Sequence, residues 1–265
     1  MATTALDVET SGNPSLGSQA ARRAFAAPAD RTMTIGGTTL KTLVLLVVLA
    51  GGAAWGWASA TTPVANDIGS GFGNTTVTIP GGFWLASFGA LFVAIFLAVN
   101  PRRAALLGAI YAVLQGYCLG AISAAFDAQT EGIVSAAILS TLFVFLVALF
   151  LYATHIVRPT QKLAFAVIAG LGGLGLMYLF VWVASIFDFG WLYSDQFRTV
   201  GLIVTIIAVA LAGLALVLDF GFTEAVTEAG APKFMEWYAA YGLMVTLVWL
   251  YVTILRLLAL LARDS

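Results

Sequence analysis

Asp219 is the residue of this sequence whose type and position most strongly suggest chemistry. It stands in VGLIVTIIAVALAGLALVLDFGF (200–222), where nineteen uncharged residues precede it and three apolar or Gly residues follow it. A carboxylate at bilayer depth is costly, so such residues usually face a bundle interior or a water-filled cavity and mark routes for ions or protons. We therefore expect Asp219 at an ion path or gate. The alternative is a carboxylate near the end of its helix that reaches headgroup water or pairs with Arg102, Arg103 or Lys162.

Two further groups are candidates for the same path. Gln115 lies in the apolar segment AIYAVLQGYCLGAIS, where its amide either lines a cavity or makes a hydrogen bond between helices. Glu224 lies in FTEAVTEAGAPKFMEW with Glu228 and Glu236, and this acidic segment either attracts cations at the mouth of a path or is a solvated loop. For Glu228 the solvated loop is the preferred interpretation.

A calcium ion at Asp219 would be held weakly. Calcium takes about six to eight oxygen ligands, which one aspartate does not supply, so neutral groups such as Gln115 and Thr246 would have to contribute. A weak site suits a leak, where an ion must leave as readily as it enters. We expect no resident cofactor, and at most transient calcium.

Seven apolar runs supply the elements that must position these residues. The chain has 265 residues, of which 61% are hydrophobic and 9% charged. It therefore has too few charged residues to form the polar surface of a soluble domain. Continuous rather than alternating apolar runs predict helices and exclude a β-barrel. The sequence predicts an all-α membrane protein, a seven-helix bundle at about residues 42–60, 82–99, 104–126, 132–154, 163–187, 199–222 and 237–260. Residues 1–39 are predicted to be a disordered tail and residues 40–265 the transmembrane domain.

Basic residues set the expected orientation in the cell membrane. They concentrate before the first run, in the second loop and in the fourth loop, which are therefore predicted to face the cytoplasm, whereas the intervening loops carry acids without Lys or Arg. The N-terminus is expected inside and, after seven crossings, the C-terminus outside, although Arg256 and Arg263 weakly favour a six-span alternative with a re-entrant last helix.

Counts of other residue types exclude several classes of function. One Cys and one His leave no disulfide framework or Cys-rich zinc site. A net charge of -1 gives no basic surface for nucleic acid. An intramembrane aspartyl protease needs two aspartates at depth and this chain offers one, so we expect no enzyme.

Small residues four apart predict close helix packing. The pairs are Gly52 and Gly56, Gly116 and Gly120, and Ala169 and Gly173.

Three segments together resemble the Bax inhibitor-1 family, in particular its bacterial branch: NPRRAALLGAIYAVLQGYCLGAIS, VLDFGF and EWYAAYGLMVTLVWLYVTILRLLALL. The resemblance covers about residues 98–262. It implies six helices around a central one and, for characterised members, a pH-sensitive calcium leak. In those relatives two aspartates on the last two helices share a proton and hold the cytoplasmic side closed.

This sequence departs from that pattern at the second aspartate. The first of the pair maps to Asp219, but Thr246 stands where the relatives carry the second, and Gln115 stands where many members have a glutamate. Asp219 hydrogen-bonded to Thr246 would lack the coupled titration of two close carboxyls, which puts a shared-proton switch in doubt. Glu224 or Glu236 would replace the missing partner if the loop folds inward.

Two functions therefore compete. The first is a pH-sensitive leak for calcium or other cations, with Asp219 at its cytoplasmic constriction. The second is a non-transporting regulator that binds a membrane protease or another membrane protein through its helices and its tail. In both, the lipid bilayer is the surrounding partner.

Overall fold

The computed structural model describes residues 32–63, 75–187 and 195–262. These residues form seven α-helices, which we label in chain order: α1 (Ile35–Ala60), α2 (Phe83–Val99), α3 (Ala104–Asp127), α4 (Ile133–Ala153), α5 (Gln161–Ile186), α6 (Asp195–Glu228) and α7 (Met235–Ala262). A short 3-10 helix, Pro101–Arg103, precedes α3, and two strands, β1 (Thr61–Pro63) and β2 (Thr75–Val77), pair antiparallel. The predicted all-α bundle is confirmed.

The helices are long and apolar enough for a multi-pass membrane protein. In the described part of the chain, all of them except α2 have the length and hydropathy of a membrane span. Helix α2 has 17 residues, or about 25 Å at 1.5 Å per residue, which is near the lower limit for a crossing.

Helix boundaries follow the apolar runs closely, with two differences. Helix α1 begins at Ile35, so residues 35–39 are helical and do not belong to the predicted tail. The Thr34 side chain caps this helix by accepting a hydrogen bond from the Gly37 N–H at 3.1 Å. Helix α6 continues to Glu228, six residues beyond the predicted end. Residues 1–31 lie outside the described residues.

Helix α7 is the most central element of the bundle. It packs against α1, α3, α4 and α6, while α2 packs on α3 and α5 packs on α6. Its buried face includes Tyr238, Met244 and Leu250. Any polar group on this face must find its partner within the protein.

Glycines set the closest contact between helices, that of α1 with α3. A Cβ atom built on Gly56 would lie 2.0 Å from the carbonyl oxygen of Tyr117, and one built on Gly120 would lie 1.9 Å from that of Ala53. Gly52 and Gly116 meet backbone in the same interface. The predicted packing role of both pairs is confirmed.

The third predicted pair does not pack in this way. A Cβ atom on Gly173 would meet nothing within 4 Å among the described residues, so the prediction for Ala169 and Gly173 is wrong at Gly173. Small residues at this spacing permit a close contact but do not place a second helix opposite them.

Candidate functional site

Asp219 and Thr246 meet in the interior, where α6 packs on α7. The Asp219 side chain is 1% exposed, and Thr246 is also buried. The Thr246 hydroxyl donates a hydrogen bond to Oδ2 of Asp219 at 2.6 Å. The hydrogen bond between Asp219 and Thr246 that the sequence analysis considered is therefore present in the structure.

The second carboxyl oxygen of Asp219 is buried without a partner. Among the described residues, none donates a hydrogen bond to Oδ1. Arg102, Arg103 and Lys162 are exposed and do not contact it, so the pairing considered in the alternative interpretation is not observed. A buried acceptor left unpaired costs about 1–3 kcal/mol.

Asp219 also lies well inside its helix. Nine residues separate it from the end of α6 at Glu228, a distance of about 14 Å along the axis at 1.5 Å per residue. The alternative of a carboxylate at the helix end that reaches headgroup water is therefore not supported.

Glu224 does not complete a carboxyl pair with Asp219. Its Oε2 accepts a hydrogen bond from the Tyr152 hydroxyl of α4. The Tyr152 ring also contacts Phe220, with ring centroids 5.7 Å apart. Sequence reasoning missed Tyr152, because nothing in its own helix marks it as the partner of an acid 72 residues away.

Glu236 does not complete the pair either, because it is bound by the start of α1. Its buried carboxyl accepts hydrogen bonds from the Thr34 N–H and hydroxyl, each at 3.0 Å, and forms a salt bridge with Lys41. A Cβ atom on Gly37 would lie 2.4 Å from this carboxyl, so a larger residue at position 37 would displace the end of the Glu236 side chain. The Lys41 ammonium also lies 5.4 Å from the Trp237 ring centroid.

The sequence contained a signal for this salt bridge. Lys41 and Glu236 are opposite charges, and each lies at the start of an apolar run on the side predicted to be cytoplasmic. Opposite charges that lie at the same depth in the membrane are candidates for a salt bridge.

Gln115 is not part of the Asp219 contact. It is partly exposed on α3, and its amide makes no hydrogen bond to another described residue. It is absent from the lining of the large cavity as well. The two interpretations of Gln115 stay predictions, since neither a cavity wall nor an interhelical bond is observed for it.

A large cavity lies between α1 and α4, with α3, α6 and α7 forming its inner wall. Its volume is about 820 Å³, and its lining is predominantly apolar. Glu224 and Tyr152 belong to the lining, whereas Asp219 and Thr246 do not. The residues that follow them in the chain, Phe220 and Leu247, do belong to the lining.

The oxygens around Asp219 offer limited coordination to a metal ion. In the described part of the chain, no three side chains of His, Cys, Asp or Glu come together. The predicted weak calcium site would therefore be built from one carboxyl and neutral oxygens such as that of Thr246.

Comparison with known proteins gives one match. A family model described as Bax inhibitor 1 like matches residues 13–263, which extends the predicted resemblance over the first two helices. The comparisons with curated proteins and with solved structures found no match.

Proposed function

Because the chain belongs to the Bax inhibitor-1-like family, we propose that it is a multi-pass membrane protein that lets cations leak across the bilayer, with Asp219 at the constriction. The proposal depends on one observation above all, the fully buried Asp219 carboxyl with an unpaired oxygen. Acids retained at such positions in membrane proteins commonly serve ion or proton routes.

The contact between α6 and α7 explains how such a path would be closed. Thr246 ties Oδ2 of Asp219 to the central helix, and apolar side chains surround the pair. The unpaired Oδ1 makes this arrangement costly. A rearrangement that lets water or a cation reach Oδ1 would offset that cost, and this favours an equilibrium between closed and conducting arrangements.

In this proposal, pH controls the path through one carboxyl group, that of Asp219. Glu224 is bound to Tyr152, and Glu236 is bound to Thr34 and Lys41. Neither is placed to share a proton with Asp219, so the gate responds to protonation of Asp219 alone. We also propose that conduction involves no catalytic step and no resident cofactor, with calcium bound only in transit.

Calcium flux into proteoliposomes tests the leak. We expect Asp219→Asn to lower the flux about tenfold or more and to remove its dependence on pH, because the amide is uncharged at every pH. Glu228→Gln is the matched control, since Glu228 is an exposed acid on the same helix, and it should leave the flux unchanged. Equal flux for wild type and Asp219→Asn from mildly acidic to mildly basic pH would exclude the proposed role.

The second candidate, a regulator that binds a membrane protease or another membrane protein, is favoured by the attachment of the N-terminal segment. Met33 donates its N–H to the Ala231 carbonyl at 2.8 Å, and Thr32 pairs with Pro232. Thr32 and Met33, where the described part of the chain begins, therefore contact the turn between α6 and α7. A partner that engages those residues would act on the two helices that carry Asp219 and Thr246.

Removal of residues 1–31 separates the two functions. The deletion must stop at Arg31, because Thr34 caps α1 and binds Glu236. A leak predicts unchanged flux after this deletion. A regulator predicts loss of a co-purifying membrane protein, with flux absent in both forms.

A further inference from the structure

The start of α1 is attached to the turn between α6 and α7 through backbone and side-chain contacts. These contacts join Thr32 to Pro232 in a β-bridge, the Met33 N–H to the Ala231 carbonyl at 2.8 Å, and both Thr34 and Lys41 to the Glu236 carboxyl. Met33, Ala231 and Glu236 are each no more than 2% exposed. We call these contacts, between residues 32–41 and residues 231–236, the N-terminal clamp.

Glu236 is buried within the N-terminal clamp and depends on α1 for its partners. Its Oε1 accepts hydrogen bonds from the N–H and the hydroxyl of Thr34, each at 3.0 Å, and its Oε2 binds the Lys41 ammonium. Among the described residues, no group outside the start of α1 donates a hydrogen bond to this carboxyl. A buried carboxylate without partners is costly and is driven toward water. The carboxyl therefore stays buried only while the start of α1 lies against α7.

Helix α1 gives the N-terminal clamp a fixed attachment, because its backbone is in contact with that of α3. A Cβ atom on Gly56 would lie 2.0 Å from the Tyr117 carbonyl oxygen, so the two helices cannot slide past each other without losing this fit. The N-terminal clamp thus holds the turn between α6 and α7 to a rigid pair of helices.

This turn joins the two helices that carry Asp219 and Thr246. Asp219 lies nine residues before the end of α6, and Thr246 lies ten residues after Glu236 on α7, which is about 14 and 15 Å along the helices. A packed helix shifts as a unit when one of its ends moves, and the 2.6 Å hydrogen bond between Thr246 and Asp219 tolerates little displacement. Release of the turn would therefore separate Asp219 from Thr246.

We propose that Glu236 is a positioning residue: through Thr34 and Lys41 it holds the turn against α1 and so keeps Asp219 in contact with Thr246. The proposal rests on the leak proposed above, because closure has a consequence only where the path conducts. Loss of the Lys41 partner releases the turn, since the unpaired carboxylate then moves out to water. The N-terminal clamp thus acts on the gate without touching Asp219.

Spin labels on the full-length protein measure the position of the turn directly. Cysteines replace Leu106 on α3 and Ala229 after the end of α6, both of which are exposed and lie outside the N-terminal clamp. A Cys118→Ala background removes the buried native thiol. In the protein that is otherwise wild type, we expect the label-to-label distance of the closed arrangement to predominate.

Lys41→Met removes the charged partner of Glu236. It should add a second label-to-label distance several Å longer than that of the wild type, and it should raise calcium flux into proteoliposomes about tenfold as the equilibrium shifts toward the open arrangement. Lys233→Met is the matched control, because it removes an exposed base three residues before Glu236. It should change neither the distance nor the flux.

A milder pair of variants tests the N-terminal clamp even if Lys41→Met does not fold. Gly37→Ala places a Cβ atom 2.4 Å from the Glu236 carboxyl, whereas a Cβ atom on Gly36 meets nothing within 4 Å among the described residues. Both alanines bring the same helix propensity, so the two variants differ in the displacement of the carboxyl. The longer distance and the higher flux should appear in Gly37→Ala and be absent from Gly36→Ala.

The two measurements separate the N-terminal clamp from the leak. Wild-type distances in Gly37→Ala would overturn the clamp. A longer distance with wild-type flux would overturn its role in closing the path and leave the leak intact. A longer distance in the variants, together with no flux even in the wild type, would support the clamp and refute the leak.

Discussion

At the scale of single residues, the Asp219 carboxyl is held by one hydrogen bond where its two oxygens have capacity for several. Oδ2 is bound to Thr246 at 2.6 Å, while Oδ1 is buried without a partner among the described residues. Such a group gains from any rearrangement that admits water or a cation. The other acids nearby bind other residues: Glu224 accepts a hydrogen bond from Tyr152, and Glu236 forms a salt bridge with Lys41.

A second carboxyl at position 246 should make this contact depend on pH. In Thr246→Asp, two carboxyls within hydrogen-bond distance titrate as a pair and share one proton. We expect the variant to be most stable at acidic pH and to lose about 1.4 kcal/mol or more as the pH rises, because two adjacent carboxylates repel each other. Thermal unfolding in detergent across pH measures this loss.

The matched control is Thr246→Asn, because the asparagine side chain has nearly the same size as that of aspartate and carries no charge. Its stability should follow the wild-type dependence on pH. If Thr246→Asp and Thr246→Asn give the same profile, the side chain at position 246 does not face Asp219 in the folded protein.

At the scale of elements, backbone contact between α1 and α3 fixes one half of the bundle. Gly52, Gly56, Gly116 and Gly120 bring the two backbones together without intervening side chains. The neighbouring face of α1 lines the large cavity between α1 and α4, and Ala53 and Gly120 belong both to this lining and to the α1–α3 contact.

Gly120→Ala should separate α1 from α3. The added methyl group would lie 1.9 Å from the Ala53 carbonyl oxygen, and backbone cannot move aside as a flexible side chain does, so we expect a loss of about 1–3 kcal/mol in stability. Thermal unfolding of the purified protein measures it. Gly51→Ala is the control, because a Cβ atom there meets nothing within 4 Å among the described residues; it should be neutral or slightly stabilising. Equal losses for both variants would contradict the glycine interface.

At the scale of the whole molecule, helix directions bear on the number of crossings. Gly52 and Gly56 lie beside Val113 and Tyr117 respectively, so α1 and α3 run parallel. Helix α2 starts beside Cys118 and continues past Leu114, so it runs antiparallel to α3. The short helix α2 therefore returns the chain between the two parallel helices α1 and α3. The seven helices then traverse the bundle seven times, which puts the two chain ends on opposite sides of the bundle.

We expect the N-terminus in the cytoplasm and the C-terminus outside, following the basic loops. Single cysteines at Ala2 and Ser265, each in a Cys118→Ala background that removes the buried native thiol, test this with a membrane-impermeant thiol reagent on intact cells. Labelling at position 265 before lysis and at position 2 only after lysis is the expected result. Labelling of both ends from the same side would instead mean an even number of crossings and would contradict seven spanning helices.

Hydrophobic length alone determined much of this protein. A run of apolar residues near 20 long has few stable alternatives to a membrane helix, so the seven helices and most of their ends follow from the sequence. The early start of α1 did not, because IGGTTLK is too polar to mark a helix until Thr34 caps it and Glu236 neutralises Lys41. Asp219 stood out in the sequence because it is a charged residue within one of these apolar runs.

Tertiary structure decided which of the candidate groups meet. Thr246 faces Asp219 across 27 residues, whereas Glu224 and Glu236 bind residues 72 and 195 positions away. Gly120 packs on backbone and Gly173 does not, although both have the same spacing to a small residue. Sequence sets the free energy of placing each group in lipid, but the partner of a buried group is fixed by helix rotation and packing, to which all seven helices contribute at once.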